Sequence, residues 1–213
     1  MLKIGKFECN MFGEITYIVW DAATRQAAVI DPGMSTENEC KAVDNYIEDN
    51  DLDIKYLLNT HIHLDHTFGI GHIESTYGVK LSASPADAPL AERIQQQAVM
   101  FHLPFRASNV EIAHPLVAGD VIKLGETRLV VIEVPGHTPG GLAFYAPEDH
   151  IVFTGDSLFH SSIGRTDLPG GDHTTLVKAV TGQLLSLPDN TTVYPGHGPA
   201  TTIGHERNFN PYL

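Results

Sequence analysis

The pattern of apolar and polar positions predicts short strands with a few helices between them. Near the N-terminus, LKIGKFEC, ITYIVW and QAAVIDPG are rich in Ile, Val, Phe and Tyr and are separated by turn residues, which predicts a meander of antiparallel strands. A helix is expected from Ser35, with Ser35 or Thr36 as its N-cap. Farther along, 54–58 predicts a short buried strand, 66–77 a helix and 79–82 another strand.

The second half of the chain repeats this organisation. VIKL, TRLVVIEV, LAFYA and HIVFTG predict a second group of strands, followed by a helix at 174–187 and the strand TTVYP. Between the halves, residues 85–108 are expected to be helical up to a break at Pro104. No linker or low-complexity run divides the chain, so one domain over residues 1–213 is expected, with two sheets packed together and helices outside.

Composition narrows the function classes. The chain has 13 Lys and Arg against 26 Asp and Glu, a formal net charge of −13, which disfavours nucleic acid as a partner. No apolar run approaches the roughly 18 residues of a membrane span, and the N-terminus shows no signal peptide. We therefore expect a cytoplasmic protein in which Cys9 and Cys40 are free thiols.

Four predicted strands end in segments that carry histidine or aspartate, mostly beside Gly or Pro. These segments are THIHLDH (60–66), PGHTPGG (135–141), GDSLF (155–159) and PGHG (195–198). Packing does not explain three histidines and an acid within THIHLDH, whereas imidazole and carboxylate together suit zinc, iron or manganese. The candidate ligands are His61, His63, Asp65, His66, His137, Asp156 and His197.

Seven ligands are too many for one tetrahedral ion and suit two ions that share a carboxylate. His61 and His63 lie two positions apart on an extended segment and can hold one ion, which His137 would complete. Asp65 and His66 follow the turn and can hold a second ion with His197. Asp156 is the natural bridge, and a hydroxide between the two ions would be a nucleophile at neutral pH.

The remaining histidines lack such surroundings and are interpreted as surface residues or as locally hydrogen bonded. Among them, His160 lies closest in sequence to Asp156. Glu206 and Arg207, near the C-terminus, are interpreted as a solvated or inter-helix pair.

The ordered motifs T-H-x-H-x-D-H, G-H-T-P-G, G-D and G-H-G resemble those of the metallo-β-lactamase superfamily. The resemblance implies an α/β fold, the αββα sandwich, in which two mixed sheets pack face to face with helices outside. It places the metal ions at one edge, between the sheets.

Within this superfamily, GDSLFHSSIGRTD and the ending PGHGPATTIGHERNFNPYL are similar to the glyoxalase II branch, particularly its short, single-domain hydrolases. The similarity implies hydrolysis of a small-molecule thioester such as S-lactoylglutathione, with two divalent metal ions, most often zinc. Attack would come from the bridging hydroxide, with Asp65 as the catalytic residue that holds it in line. The C-terminal helical domain by which full-length glyoxalase II grips glutathione carboxylates is not matched.

A second resemblance leaves an alternative open. The string G-R-T-D at 164–167 also occurs in persulfide dioxygenases, which use one iron held by the equivalents of His61, His137 and Asp156. The turn PGHG resembles the hydrolases instead and favours a second metal ion. A lactonase is a further alternative, and a metal-binding protein without activity is disfavoured by Asp65, which a structural site would not need. The sequence does not indicate the oligomeric state.

Overall fold

Two six-stranded sheets form the centre of the computed structural model, which describes residues 1–103 and 107–213. The strands of the first sheet are β1 (Leu2–Cys9), β2 (Glu14–Asp21), β3 (Gln26–Ile30), β4 (Asp53–Leu58), β5 (Leu81–Ala83) and β6 (His114–Pro115). They lie in chain order, with antiparallel pairing from β1 to β3 and parallel pairing from β3 to β6.

The strands of the second sheet are β7 (Val121–Leu124), β8 (Thr127–Glu133), β9 (Leu142–Ala146), β10 (Ile151–Gly155), β13 (Thr192–Pro195) and β14 (Thr201–Thr202). Their order is β14-β13-β10-β9-β8-β7, in which β10 and β13 pair in parallel and the other neighbours pair antiparallel. A small hairpin, formed by β11 (Leu158–Phe159) and β12 (Ser162–Ile163), follows β10.

The helices cover the outer faces of the two sheets. The first sheet is covered by α1 (Glu37–Asp49), α2 (Ile70–Tyr77), α3 (Ala88–Ala91) and α4 (Ile94–Met100), and the second by α5 (His173–Ala179) and α6 (Ile203–Phe209). The protein is therefore the four-layer αββα sandwich that the sequence indicates.

Strand β2 shows why the sandwich forms, because all eight of its residues are buried. Tyr17 and Val19 point between the sheets and pack with Phe144 and Phe153 of the second sheet. Ile18 and Trp20 point the other way, into the core beneath the helices of the first sheet. Successive side chains on a strand face opposite sides, so a strand with both faces covered reads as a continuous apolar run.

Some boundaries differ from those the sequence predicts. Residues 64–66 form a separate 3₁₀ turn that carries the candidate ligands Asp65 and His66, so α2 begins only at Ile70. The segment expected as one helix from residue 85 consists of a 3₁₀ turn at Pro85–Asp87 followed by α3 and α4, and the predicted break at Pro104 lies outside the described residues. The helix predicted at 174–187 begins one residue earlier and changes from α to π geometry over Val180–Leu184.

The interpretation of Glu206 as a solvated residue is wrong. Its side chain is fully buried and accepts hydrogen bonds from Ser161 N, Thr201 Oγ1 and Asn210 Nδ2. Arg207 pairs instead with Asp189. Glu206 thus anchors α6 to the β11–β12 hairpin, a role that only long-range contacts reveal.

Within residues 1–103 and 107–213, none of the helices has the length and apolar character needed to cross a membrane.

Candidate metal centre

The seven candidate residues converge at one edge of the sandwich, on loops that leave strands of both sheets. THIHLDH follows β4 of the first sheet, whereas His137, Asp156 and His197 follow β8, β10 and β13 of the second. A direct link joins the two sheets here, because Ile15 N donates to Gly196 O at 2.8 Å. The site therefore depends on the packing of one sheet on the other.

Three imidazoles form the first group. Nitrogen atoms of His61, His63 and His137 all lie within 4.8 Å of one another, and all three residues are buried. His63 Nδ1 and His137 Nε2 are only 2.9 Å apart. Ring nitrogens that face each other at this distance can share a cation as ligands.

The second group combines one carboxylate with two imidazoles. Ligand atoms of Asp65, His66 and His197 lie within 4.8 Å of one another. His197 Nε2 is 3.3 Å and His66 Nε2 is 3.8 Å from Asp65 Oδ2. His66 is fully buried, whereas His197 is 26% exposed, so this group faces the solvent side of the site.

Asp156 lies between the two groups. Its Oδ2 is 3.6 Å from His137 Nε2 in the first group and 3.6 Å from His197 Nε2 in the second, and its Oδ1 is 3.5 Å from His66 Nε2. One carboxylate thus reaches both groups. Its position is compatible with the bridging role that the sequence predicts for it.

The hydrogen bonds of Asp31 determine which nitrogen of His61 is free to bind a cation. Thr60 Oγ1 donates to Asp31 Oδ2 at 2.6 Å, so its oxygen is left to accept from His61 Nδ1 at 3.0 Å. The lone pair of His61 is then on Nε2, which is buried and has no hydrogen-bond partner within the described structure. An orphaned buried nitrogen aimed at two other imidazoles fits a metal ion.

The other two rings are positioned by a carboxylate and by a carbonyl group. Asp31 Oδ2 lies 3.2 Å from His66 Nδ1, a charge contact on the side of the ring opposite Nε2, which faces Asp156. The His137 Nδ1–H donates to the Arg165 carbonyl oxygen at 2.7 Å and leaves Nε2 for the first group. Asp31 also lies near His61 and His66 in a third possible ligand group, but Thr60 N and Thr60 Oγ1 already engage both its oxygens. We therefore assign Asp31 to ligand orientation.

The charges of the site suit cation binding. Burial, together with the neighbouring His137, lowers the pKa of His63 to about 3, and burial also holds the pKa of His61 well below its usual value. Both rings are consequently neutral with available lone pairs. For Asp156, burial opposes ionisation, but the neighbouring His66, His61 and His137 together outweigh it and hold the carboxyl pKa well below its usual range.

Asp87 holds the two halves of the first group together, a role that sequence patterns do not indicate. Its buried carboxylate accepts from Ile62 N at 3.0 Å, between His61 and His63. It also accepts from Thr138 Oγ1 at 2.9 Å and Gly140 N at 2.6 Å, in the loop that carries His137. Burial raises the pKa of Asp87, although these hydrogen bonds oppose the shift.

Gly196 has a steric role in the second group. A Cβ atom at this position would overlap Asp156 Oδ1 and lie 2.7 Å from His66 Cε1. Only glycine lets the PGHG turn pass this close to the two side chains.

Three acidic groups of the site were missed at the sequence level: Glu14, Asp31 and Asp87. Glu14 is fully buried, with Oε1 3.9 Å from His66 Nδ1, and burial raises its pKa well above the usual value. An acidic residue at a position whose neighbours are apolar was the available signal. The other seven histidines belong to none of the ligand groups in the described part of the chain.

An αββα sandwich with clustered imidazoles and carboxylates at one edge defines a class of metal-dependent enzymes. The family comparison agrees, since residues 13–197 match the model of the metallo-beta-lactamase superfamily. The chain belongs to this superfamily, whose members bind divalent metal ions, often two.

Similar proteins are known at the sequence and the structural level. The hydroxyacylglutathione hydrolase GloC of Haemophilus influenzae is 38% identical over 201 residues, which is 92% of this chain and 91% of that protein. The B3 metallo-beta-lactamase BLEG-1 is 29% identical, with a TM-score of 0.88 over 100% of this chain and 99% of that one. TTHA1623, crystallised in a di-iron-bound form, is 34% identical, with a TM-score of 0.86 over 98% of this chain and 100% of that one.

Proposed function

We propose that this protein is a thioesterase of the hydroxyacylglutathione hydrolase type that acts with two divalent metal ions. The observation that carries the proposal is the presence of two three-residue ligand groups with Asp156 between them. The 38% identity to GloC supports a thioester as substrate. The di-iron form of TTHA1623 shows that a similar protein holds two ions, and zinc, iron and manganese are all compatible with these ligands.

The proposed ligands divide as the geometry groups them. His61, His63 and His137 would hold one ion, and Asp65, His66 and His197 the other, with Asp156 shared between them. Ions bound at such a site polarise a carbonyl group and lower the pKa of water. Asp31 and Thr60 keep the ring nitrogens of His61 and His66 directed inward.

Asp65 is the proposed catalytic residue. Its Oδ2 lies beside His197 and on the more exposed side of the site, where water can enter. Burial opposes ionisation of Asp65, but the neighbouring His66 and His197 together outweigh it and lower the carboxyl pKa. The ionised Oδ2 would orient the attacking water and accept a hydrogen bond from it.

Metal analysis combined with two activity assays tests the proposal. We expect close to two metal ions per chain and hydrolysis of S-lactoylglutathione or a related thioester, measured by release of the free thiol. A single iron per chain, with oxygen consumed in the presence of glutathione persulfide, would identify a dioxygenase instead. Opening of a lactone ring without thioester cleavage would identify a lactonase.

A further inference from the structure

A pocket of about 280 Å³ opens directly beside His63, on the side of the first ligand group. Its volume is near the lower end of the roughly 300–1,000 Å³ that small-molecule sites occupy. One wall is formed by α3 and α4 with the turn before them, and the other by residues 139 and 168–170. The pocket adjoins the candidate metal centre, because His63 belongs to both.

The walls of this pocket are mainly apolar. Leu90, Met100 and Phe101 contribute from the helical side, and Pro139 and Leu168 face them. Phe101 makes an edge-to-face contact with Phe12, with ring centroids 5.9 Å apart, which stabilises its position in the pocket wall.

The amide of Gln97, which also lines the pocket, is already engaged by backbone groups. Its Oε1 accepts from Leu64 N at 3.0 Å, and its Nε2 donates to Ile62 O at 3.3 Å. Gln97 therefore links α4 to the THIHLDH loop, and its polar atoms point towards that loop. A ligand in the pocket would be held chiefly by apolar contact.

The cations around the pocket are few, which argues against glutathione lying in it. Arg93 is the one Lys or Arg that lines the pocket within the described residues, and a single guanidinium can neutralise only one of the two carboxylates of glutathione. The nearby Arg165 is held by both carboxylate oxygens of Asp167, at 2.8 Å each. A tripeptide with two carboxylates would bring two negative charges to a mostly apolar surface, at a desolvation cost.

We infer that this pocket binds the acyl arm of the thioester, and that the protein prefers apolar acyl groups of about four to six carbons to the small, hydroxylated lactoyl group. This inference rests on the proposed thioester hydrolysis. In that reaction water adds its oxygen to the carbonyl carbon, the carbon–sulfur bond breaks, and the sulfur leaves as thiol with a proton from the water. The acyl arm lies on the His63 side, and the thiol departs on the exposed His197 side.

The test compares acyl chains on one thiol with alkyl thiols on one acyl group, using the metal-loaded protein. Acetyl-, butyryl-, hexanoyl- and lactoyl-glutathione form the first series, and the acetyl thioesters of glutathione and hexanethiol form the second. We expect kcat/KM to rise about two- to fourfold for each methylene added to the acyl arm. Full burial of a methylene would give about fourfold, and partial burial in this partly open pocket would give about twofold. Lactoyl-glutathione should be a poorer substrate than butyryl-glutathione.

Two variants place the effect in the pocket. Met100→Gln keeps the side-chain length but makes it polar, and Ala86→Phe fills the pocket from an exposed position on the turn at Pro85–Asp87. Each should lower the ratio of hexanoyl to acetyl kcat/KM, Ala86→Phe by about tenfold. Val99→Thr is the matched control, because Val99 is 66% exposed on the same helix and does not line the pocket, so it should leave the ratio unchanged.

Each contrary result has a distinct meaning. Turnover of all acyl-glutathiones with a flat or falling dependence on chain length would overturn the inference and leave the proposed function intact. The protein could instead prefer the acetyl thioester of hexanethiol to that of glutathione. If Ala86→Phe abolished that preference, the pocket would be assigned to the thiol arm and the inference would be contradicted. No turnover of any thioester by protein that holds two ions would overturn both the function and the inference.

Discussion

Asp31 connects two buried residues of the site, because one of its carboxylate oxygens accepts from Thr60 and lies close to His66. Thr60 Oγ1 donates to Asp31 and can therefore only accept from His61, while Asp31 also faces His66 Nδ1. Metal-binding histidines commonly donate their second ring N–H to a carboxylate or another acceptor, which fixes the tautomer. At the scale of single residues, the proposed ligand set therefore depends on side chains that would not contact an ion.

His197 distinguishes the two-ion site from a one-ion site. In the proposed arrangement His197→Ala removes one of three ligands of the second group, so we expect it to hold about one metal ion per chain and to lose most turnover. Metal analysis of the purified variant and a thioesterase assay measure the two effects. His173→Ala, at an exposed position at the start of α5, is the control and should keep both ions. Full activity in His197→Ala would show that the second group is dispensable.

At the scale of elements, the N-terminus of α1 is connected to the THIHLDH loop through the turn between β1 and β2. Glu39 accepts from Asn10 N at 2.8 Å as well as from Ser35 N and Thr36 N within the capping box of α1. The side chain of Asn10 continues the connection, because its Nδ2 donates to the backbone oxygen of Asp65 at 3.0 Å. A helix cap is thereby linked to the backbone of the proposed catalytic residue.

This link makes part of the stability depend on pH. Burial opposes ionisation of Glu39, but hydrogen bonds from Ser35, Asn10 and Thr36 outweigh it and lower the carboxyl pKa. A lowered pKa contributes stability above the ordinary carboxyl pKa of about 4.3, and this contribution is lost as the pH falls through the lowered value. We expect Glu39→Gln to lower the free energy of unfolding by about 1 kcal/mol at pH 7.

Urea unfolding at a series of pH values from 7 to 3 measures this effect. The difference between wild type and Glu39→Gln should shrink as the pH falls below about 4.3, because wild-type Glu39 then becomes protonated. Glu37→Gln is the matched control, since Glu37 is 82% exposed and pairs with Lys41 in the same helix, so its loss should change stability little. A difference that stays constant over the whole range would contradict the assigned role of Glu39.

At the scale of the whole molecule, the site lies where loops from both sheets meet in a chain of net charge −13. Ions bound there would join THIHLDH of the first sheet to three loops of the second. They would also neutralise part of a concentrated negative charge. Because such ligands are brought together only in the folded state, metal binding should stabilise the fold.

Removal of the metal ions should therefore lower the melting temperature. At a free metal concentration of 100 times the dissociation constant, binding adds about 2.7 kcal/mol to the free energy of unfolding for each site. For a chain of this length that corresponds to a rise of roughly 5–10 °C for each ion. Calorimetry before and after treatment with a chelator, and again after zinc, iron or manganese is restored, measures the change. An unchanged melting temperature in protein shown to be metal-free would contradict coupling of the site to the fold.

Most of the fold and the proposed ligands could be predicted from the sequence, because both depend on local patterns. Continuous apolar runs such as ITYIVW can be stable only when both faces are covered, which predicts a layered sandwich. His61 and His63 are recognisable because histidines alternate there at the end of an apolar strand. The sequence also suggested the pairing of these two with His137, and the structure brings the three together.

The tertiary structure decided what depends on contacts between distant parts of the chain. Asp31, Asp87 and Glu206 resemble surface or turn acids in sequence, yet each is buried and holds together segments far apart in the chain. The pocket beside His63 likewise joins α3 and α4 to the loop at 168–170. Local patterns report which residue types can form a strand or bind a metal ion, whereas burial, ring tautomers and pocket shape follow from the packing of one sheet and its helices on the other.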